Sequence, residues 1–191
     1  MAGAFVLQPE LRRDDRGFFA RTFCRETLRV HGIDIDIVQC NISQNRRRGT
    51  LRGMHYQVAS HAEQKLVCCL RGAAYDVIVD LRADSATYGR WYAVELTAEN
   101  RHTLFIPRGM AHGFQTLTAD TELFYQMGHP YSPKHAHGFY YDDPAIGIEW
   151  PLPVRCISER DLSFSPVLDR QIQYKPAQVA HARAEIDGAF L

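Results

Sequence analysis

Tyr75-Asp76-Val77-Ile78-Val79-Asp80-Leu81-Arg82 is the clearest alternation in this chain. A strand turns successive side chains to opposite faces, so Tyr75, Val77, Val79 and Leu81 share one face and the two aspartates the other. One side is expected to meet the core, the other water or a cavity. Outward from this stretch, short β-type runs bounded by Gly, Pro, Asn or Asp recur at residues 35–38, 66–70, 74–81, 91–96, 103–106 and 122–125. Many short strands separated by turn signals describe a sandwich or a barrel. Helical periodicity is weak and predicts only short helices over 23–30 and 177–186. The expected class is mainly β with short flanking helices.

With 191 residues, 46% of them apolar, the chain can fill one core and has little room for a second domain. The expected unit is 1–166. Residues 167–191 turn polar and read as a C-terminal extension, packed on the barrel or a partner, or partly disordered. Formal net charge is +0, so no global field points to nucleic acid or an anionic membrane. The basic run Arg46-Arg47-Arg48 reads as a solvated loop tip, with a phosphate or RNA contact as its alternative. Five cysteines lack paired metal spacing and are odd in number, which fits free thiols in a reducing compartment. The first residues do not resemble a signal peptide, and no apolar run approaches the roughly 20 residues that cross a bilayer. A soluble, cytoplasmic protein is expected, without nucleic-acid or membrane partners.

Three stretches carry chemistry. Gly49-Thr50-Leu51-Arg52-Gly53-Met54-His55-Tyr56-Gln57 sets a cation and an imidazole close together beside glycines. Gln64-Lys65-Leu66-Val67 puts a second cation into an alternating run, and Pro107-Arg108-Gly109-Met110-Ala111-His112-Gly113-Phe114 offers a second histidine on a Pro/Gly turn. Together they read as a site for an anionic small molecule. His61, His129, His135 and His137 lie in polar, loop-like sequence and are taken as solvated.

The same stretches run in order with Asp15-Arg16-Gly17-Phe18-Phe19, Tyr131-Ser132-Pro133, Asp143-Pro144-Ala145-Ile146-Gly147-Ile148-Glu149-Trp150-Pro151 and Ile157-Ser158-Glu159-Arg160-Asp161. In this order the chain resembles the dTDP-4-dehydrorhamnose 3,5-epimerases, nucleotide-sugar epimerases with a cupin-like jelly roll, or double-stranded β-helix. The resemblance implies proton removal beside a ketone at C4 of a nucleoside-diphosphate 4-keto-6-deoxy sugar. A ketone α-proton has a pKa near ~20 and an imidazolium near ~6.5, so bare transfer is uphill by roughly 18 kcal/mol. A base alone is insufficient, and a cation aimed at the C4 oxygen in a dry pocket must lower the enolate.

The resemblance implies His55 as base, Asp161 as its orienting carboxylate, Lys65 as the enolate's cation and Tyr125 as the acid on the opposite face. His112 would bond near the sugar or its carbonyl. Arg52, Arg16, Gln39, Asn41 and Ser43 match positions that hold the diphosphate, and Phe19, Tyr131 and Arg160 complete the substrate-binding set. Without that resemblance, Tyr125 reads as a core tyrosine and Asp161 as a turn or helix cap. It implies a homodimer whose N-terminal strands cross to the partner, and no cofactor.

Metal-binding cupins show a second histidine where Gln57 stands. A shell of His55, His112 and Glu63 is the alternative, and a metal-free site is expected because Lys65 would repel a dication. Arg21, Gln126 and Pro130 depart from the thymidine pattern, which leaves GDP- or CDP-linked sugars open. A sugar-nucleotide 3,4-ketoisomerase and a non-catalytic sugar-nucleotide-binding cupin remain as further alternatives.

Overall fold

The computed structural model describes residues 1–167. Two five-stranded antiparallel sheets face each other as a cupin-like jelly roll. The first sheet contains β1 (Phe5–Leu7), β4 (Gln39–Asn45), β6 (Lys65–Arg71), β9 (Thr103–Ile106) and β11 (Thr121–Met127), in the order β1-β9-β6-β11-β4. The second contains β5 (Leu51–Gln57), β7 (Ala73–Asp80), β8 (Trp91–Thr97), β10 (Met110–Thr116) and β12 (Ala136–Gly138), in the order β12-β5-β10-β7-β8. A separate hairpin, β2 (Arg12–Asp14) and β3 (Gly17–Phe19), pairs only with itself.

The packing explains which sequence runs became strands. Side chains pointing between the sheets, among them Val67, Cys69, Ile78, Leu104, Ile106, Phe114 and Leu123, form the central core. Alternate residues of the same strands feed an outer cluster on each sheet. Leu66 and Phe105 meet Leu28, Ile33 and Ile35 outside the first sheet, while Val77 and Val79 meet Phe139, Ile146 and Ile148 outside the second. The 75–82 stretch therefore departs from expectation in one respect. Its main strand, β7, is buried on both faces because the segment around 139–150 covers the side that would otherwise meet water.

The runs at 66–70, 74–81, 91–96, 103–106 and 122–125 all fall in strands, with ends moved by no more than two residues. The run at 35–38 does not. Ile33 and Ile35 are each 1% exposed, but their segment lies across the outer face of the first sheet rather than within its ladder. A period of two came from packing on a sheet, not pairing in one. The strand begins instead at Gln39, in a polar sequence with little β propensity, where pairing along the whole of β11 supplies the order. His112 likewise lies within β10, and the turn is confined to the residues before it.

The predicted helix at 23–30 is present as α1 (Arg25–Val30), with Glu26 in its first turn and Arg29 in its last, which suits the helix dipole. Leu28 is its one buried residue, and ion pairs from Arg25 to Asp36 and Arg29 to Asp34 tie its exposed side to the following segment. A second helix, α2 (Glu159–Leu162), is capped by Ser158 Oγ, which accepts from the Asp161 N–H at 3.0 Å. The helix predicted at 177–186, and nearly all of the 167–191 extension, lie outside the described residues. All five cysteines are unpaired, and no helix among the described residues is long and apolar enough to cross a membrane.

Candidate active site

A register shift builds the site. On the two neighbouring strands His112 pairs with His55 and Phe114 with Arg52, so Gly53 and Met54 together oppose the single residue Gly113. This extra residue is a β-bulge, and it changes the parity of β5. Arg52 and His55, three residues apart, would face opposite ways on a regular strand; here both line one cavity while Met54 turns into the outer cluster. Glycine is required on both strands at this point. A Cβ on Gly53, whose φ is +133°, would sit 2.6 Å from the Gly113 Cα, and one on Gly113 would meet Met54 Sδ at 2.6 Å.

That cavity, about 260 Å³, opens between the sheets. The second sheet contributes Arg52, His55, His112, Gly113 and Phe114, and the first contributes Asn41, Ile42, Ser43, Lys65, Tyr125 and Met127. Strand pairing explains the latter set apart from Ile42, which has the opposite parity. Tyr125 lies opposite Asn41, and Met127 opposite Lys65, so these residues share the inward face with Ser43. The Tyr125 and Ser43 hydroxyls are 3.0 Å apart. A second cavity of about 350 Å³ adjoins it, sharing Arg52 and His55 and adding Thr50, Cys156, Ser158, Arg160 and Asp161.

Three of the cationic or proton-binding groups are backed by buried carboxylates. The Nε2–H of His55 donates to Asp161 Oδ1 at 2.8 Å, and Asp161 Oδ2 accepts from the Gly53 N–H at 3.2 Å. Burial alone would raise the Asp161 carboxyl, but the His55 bond and charge, with smaller help from Gly53 and Ser158, hold it below the usual range. His112 Nε2 meets both oxygens of Asp76, at 2.9 and 3.0 Å. Lys65 Nζ lies 2.9 Å from Glu63 Oε1. Arg52 is held differently: its Nε donates to the neutral amide oxygen of Asn45 at 2.7 Å, and one terminal nitrogen reaches the Gln44 carbonyl at 3.4 Å. Burial pushes the Tyr125 phenol far up and nearby Asp76 adds to this, while Ser43 and Arg52 oppose it.

The remaining predicted residues are spread around the mouth. Tyr131 is 51% exposed; its N–H donates to Gln39 Oε1 at 3.1 Å, and its hydroxyl accepts from Arg160 at 3.4 Å. Gln39 in turn donates to Asn41 Oδ1 at 3.1 Å. Arg16 and Phe19 stand apart on the exposed hairpin, Arg16 paired with Asp14 and Phe19 68% exposed, and neither lines the cavities of its own chain. Gln126 neighbours Tyr125 on β11 and so faces away from the cavity. Pro130 is fixed through its carbonyl, which accepts from Gln57 Nε2 at 3.3 Å.

The alternative metal shell does not converge. Among the described residues no group of three or more His, Cys, Asp or Glu is placed to hold a metal ion. His61 and His135 are not separate solvated side chains but stack with ring centroids 3.6 Å apart, with His129 edge-on to His61 at 5.0 Å.

Sequence reasoning missed Asn45, Phe164 and the pairing role of Glu63. Phe164 packs edge-on against the His55 ring at 5.9 Å. Glu63 had a local signal, since it lies two positions before Lys65. Asn45 and Phe164 had none, because each meets its partner only through the fold.

The family model described as dTDP-4-dehydrorhamnose 3,5-epimerase matches residues 1–169. A protein of that description from Sinorhizobium fredii is 41% identical over 175 residues, covering 91% of this chain and 90% of the relative. The crystal structure of the enzyme of the same description from Bacillus anthracis, with TDP and PPi bound, superposes with a TM-score of 0.85 at 38% identity, covering 86% of this chain and 94% of that one. A Legionella pneumophila dTDP-6-deoxy-D-glucose-3,5-epimerase, in complex with dTDP-4-keto-L-rhamnose, gives 0.79 at 35% identity, covering 90% and 92%.

Proposed function

This chain belongs to the dTDP-4-dehydrorhamnose 3,5-epimerase family of isomerases, and from that premise we propose that it inverts C3 and C5 of dTDP-4-dehydro-6-deoxyglucose through an enolate. The observation that carries this reading is the meeting of His55 from one sheet with Lys65 and Tyr125 from the other around one cavity. Asp161 occupies His55 Nε2, which leaves Nδ1 to take a proton from the carbon next to the C4 ketone. As that C–H bond breaks, its electron pair moves into the ring and onto the C4 oxygen. The Lys65 ammonium offsets the charge that develops there, and the His112 ring, held by Asp76 through Nε2, lines the cavity beside the sugar.

Inversion requires a proton on the opposite face. Tyr125 approaches from the other sheet, and its raised phenol remains protonated at neutral pH until an enolate carbon takes the proton. Solvent then restores the tyrosine and drains the proton from His55, so the reaction is redox-neutral.

Arg52 and Arg160 hold the diphosphate, with Ser43, Asn41 and Gln39 along the same rim and Tyr131 beside the base. Thymine is the proposed base, as in the relatives' names, despite Arg21, Gln126 and Pro130. Gln126 lies on the far face of its strand from the cavity, so its departure need not touch the nucleotide. The exposed hairpin with Arg16, Phe18 and Phe19 completes a partner's site in a homodimer; Phe18 and Phe19 are 44% and 68% exposed in the single chain.

The test is incubation with dTDP-4-dehydro-6-deoxyglucose in deuterated water, followed by NMR. Deuterium should enter at both C3 and C5 with inversion. Substrate returned without deuterium would overturn the reading, and formation of a 3-keto isomer would favour the ketoisomerase alternative.

A further inference from the structure

Glu63 has a feature that packing does not explain. Its side chain is 4% exposed, one oxygen meets Lys65 Nζ at 2.9 Å, and the other, Oε2, has no hydrogen-bond partner among the described residues. Leaving half of a buried carboxylate unsatisfied destabilises the fold, and an amide or apolar group of similar size would avoid placing a charge there. Asp161 and Asp76 differ: both oxygens of each are bonded. Glu63 is thus the one of the three with an oxygen left unbonded among the described residues, while both oxygens of Asp76 rest on one atom, His112 Nε2. Lys65 has the matching need, since a four-carbon side chain without an anchor samples many rotamers.

We propose that Glu63 is a positioning residue for the epimerisation, holding the Lys65 ammonium aimed at the cavity where the enolate oxygen forms. An ammonium has three N–H donors, so a bond to Glu63 leaves others for the substrate oxygen. Three of the four groups that handle protons or the oxyanion, His55, His112 and Lys65, then each have a dedicated carboxylate, and the fourth, Tyr125, bonds the Ser43 hydroxyl. This inference rests on the reading of Lys65 given above.

The test uses full-length Glu63→Gln, Glu63→Asp and Lys65→Met in the deuterium-exchange assay, with TDP affinity by calorimetry and thermal midpoint measured in parallel. Glu63→Gln keeps the shape and removes the charge. Its kcat for exchange should fall on the order of 10- to 100-fold, with KM and TDP affinity within about twofold of the parent. Glu63→Asp, which keeps the charge on a shorter arm, should recover part of that rate. The proposal is overturned if Glu63→Gln exchanges at the parent rate, or if its loss of rate is matched by an equal loss of TDP affinity. Lys65→Met separates the two readings. If it remains active, the role of Lys65 itself is wrong; if it is inactive while Glu63→Gln is normal, only Glu63 is wrongly assigned.

Discussion

The wall of the cavity proposed to react and the rim proposed to bind phosphate both present cations, yet they are backed by opposite chemistry. His55, His112 and Lys65 lean on Asp161, Asp76 and Glu63, all buried carboxylates, whereas Arg52 leans on the Asn45 amide and the Gln44 carbonyl. A carboxylate steadies a proton and fixes a tautomer, but it also cancels charge. Behind a group that must hold or pass a proton, that cancellation is useful. Behind a guanidinium meant for phosphate it would weaken the attraction that binds the ligand, and a neutral amide orients the same fork without doing so.

The strongest challenge to this contrast is His55→Ala. Exchange at C3 and C5 should drop by about 10²- to 10⁴-fold, with TDP affinity unchanged, because only the reacting wall loses a member. Near-normal turnover would place the base elsewhere. Tyr125→Phe should next split the chemistry, leaving deuterium entry largely intact while inversion measured by NMR falls roughly 100-fold. If exchange and inversion fell together, Tyr125 would serve the first proton transfer as well.

Asn45→Asp tests the rim by giving Arg52 the carboxylate it lacks. TDP binding should weaken by about 10-fold in calorimetry, with kcat at saturating substrate little changed. Unaltered affinity would show that the neutral partner is incidental.

The smallest effect is expected away from the cavity. Asp80 shares strand, face and full burial with Asp76, but it clasps Arg82, Ser85 and Thr87 instead of a histidine. Burial would raise its carboxyl; those bonds outweigh it and lower it to about 2. A depressed carboxylate stabilises the fold above its unfolded pKa, so this contribution, about 2 kcal/mol, is present above roughly pH 4 and lost as pH falls through 2. Asp80→Asn should lower the thermal midpoint at pH 7, lose most of that difference from the parent near pH 2, and leave exchange per folded molecule unchanged.

These contrasts also mark how far the chain could be read unaided. The alternation around Val77 and the turn-bounded runs located the central strands, because side-chain parity is local to a strand. Polar Gln39–Asn45 escaped that reading, and apolar 35–38 misled it, since burial against a sheet and pairing within one leave the same period of two. The site divides in the same way. Ordered motifs and the family resemblance singled out His55, Lys65, Tyr125 and Asp161, while Asn45 and Phe164 carried no local mark.

By itself, then, the sequence marked a mainly β fold and the residue types of a site proposed for an anionic ligand. Which of them meet was left to tertiary structure: His55 reaches Asp161 across 106 positions, Ser43 reaches Tyr125 across 82, and a bulge opposite Gly113 brings Arg52 and His55 to one side. The physical reason is that periodicity reports the face a side chain occupies, whereas a hydrogen bond requires two faces to be brought within about 3 Å by strands that pair far apart in the chain.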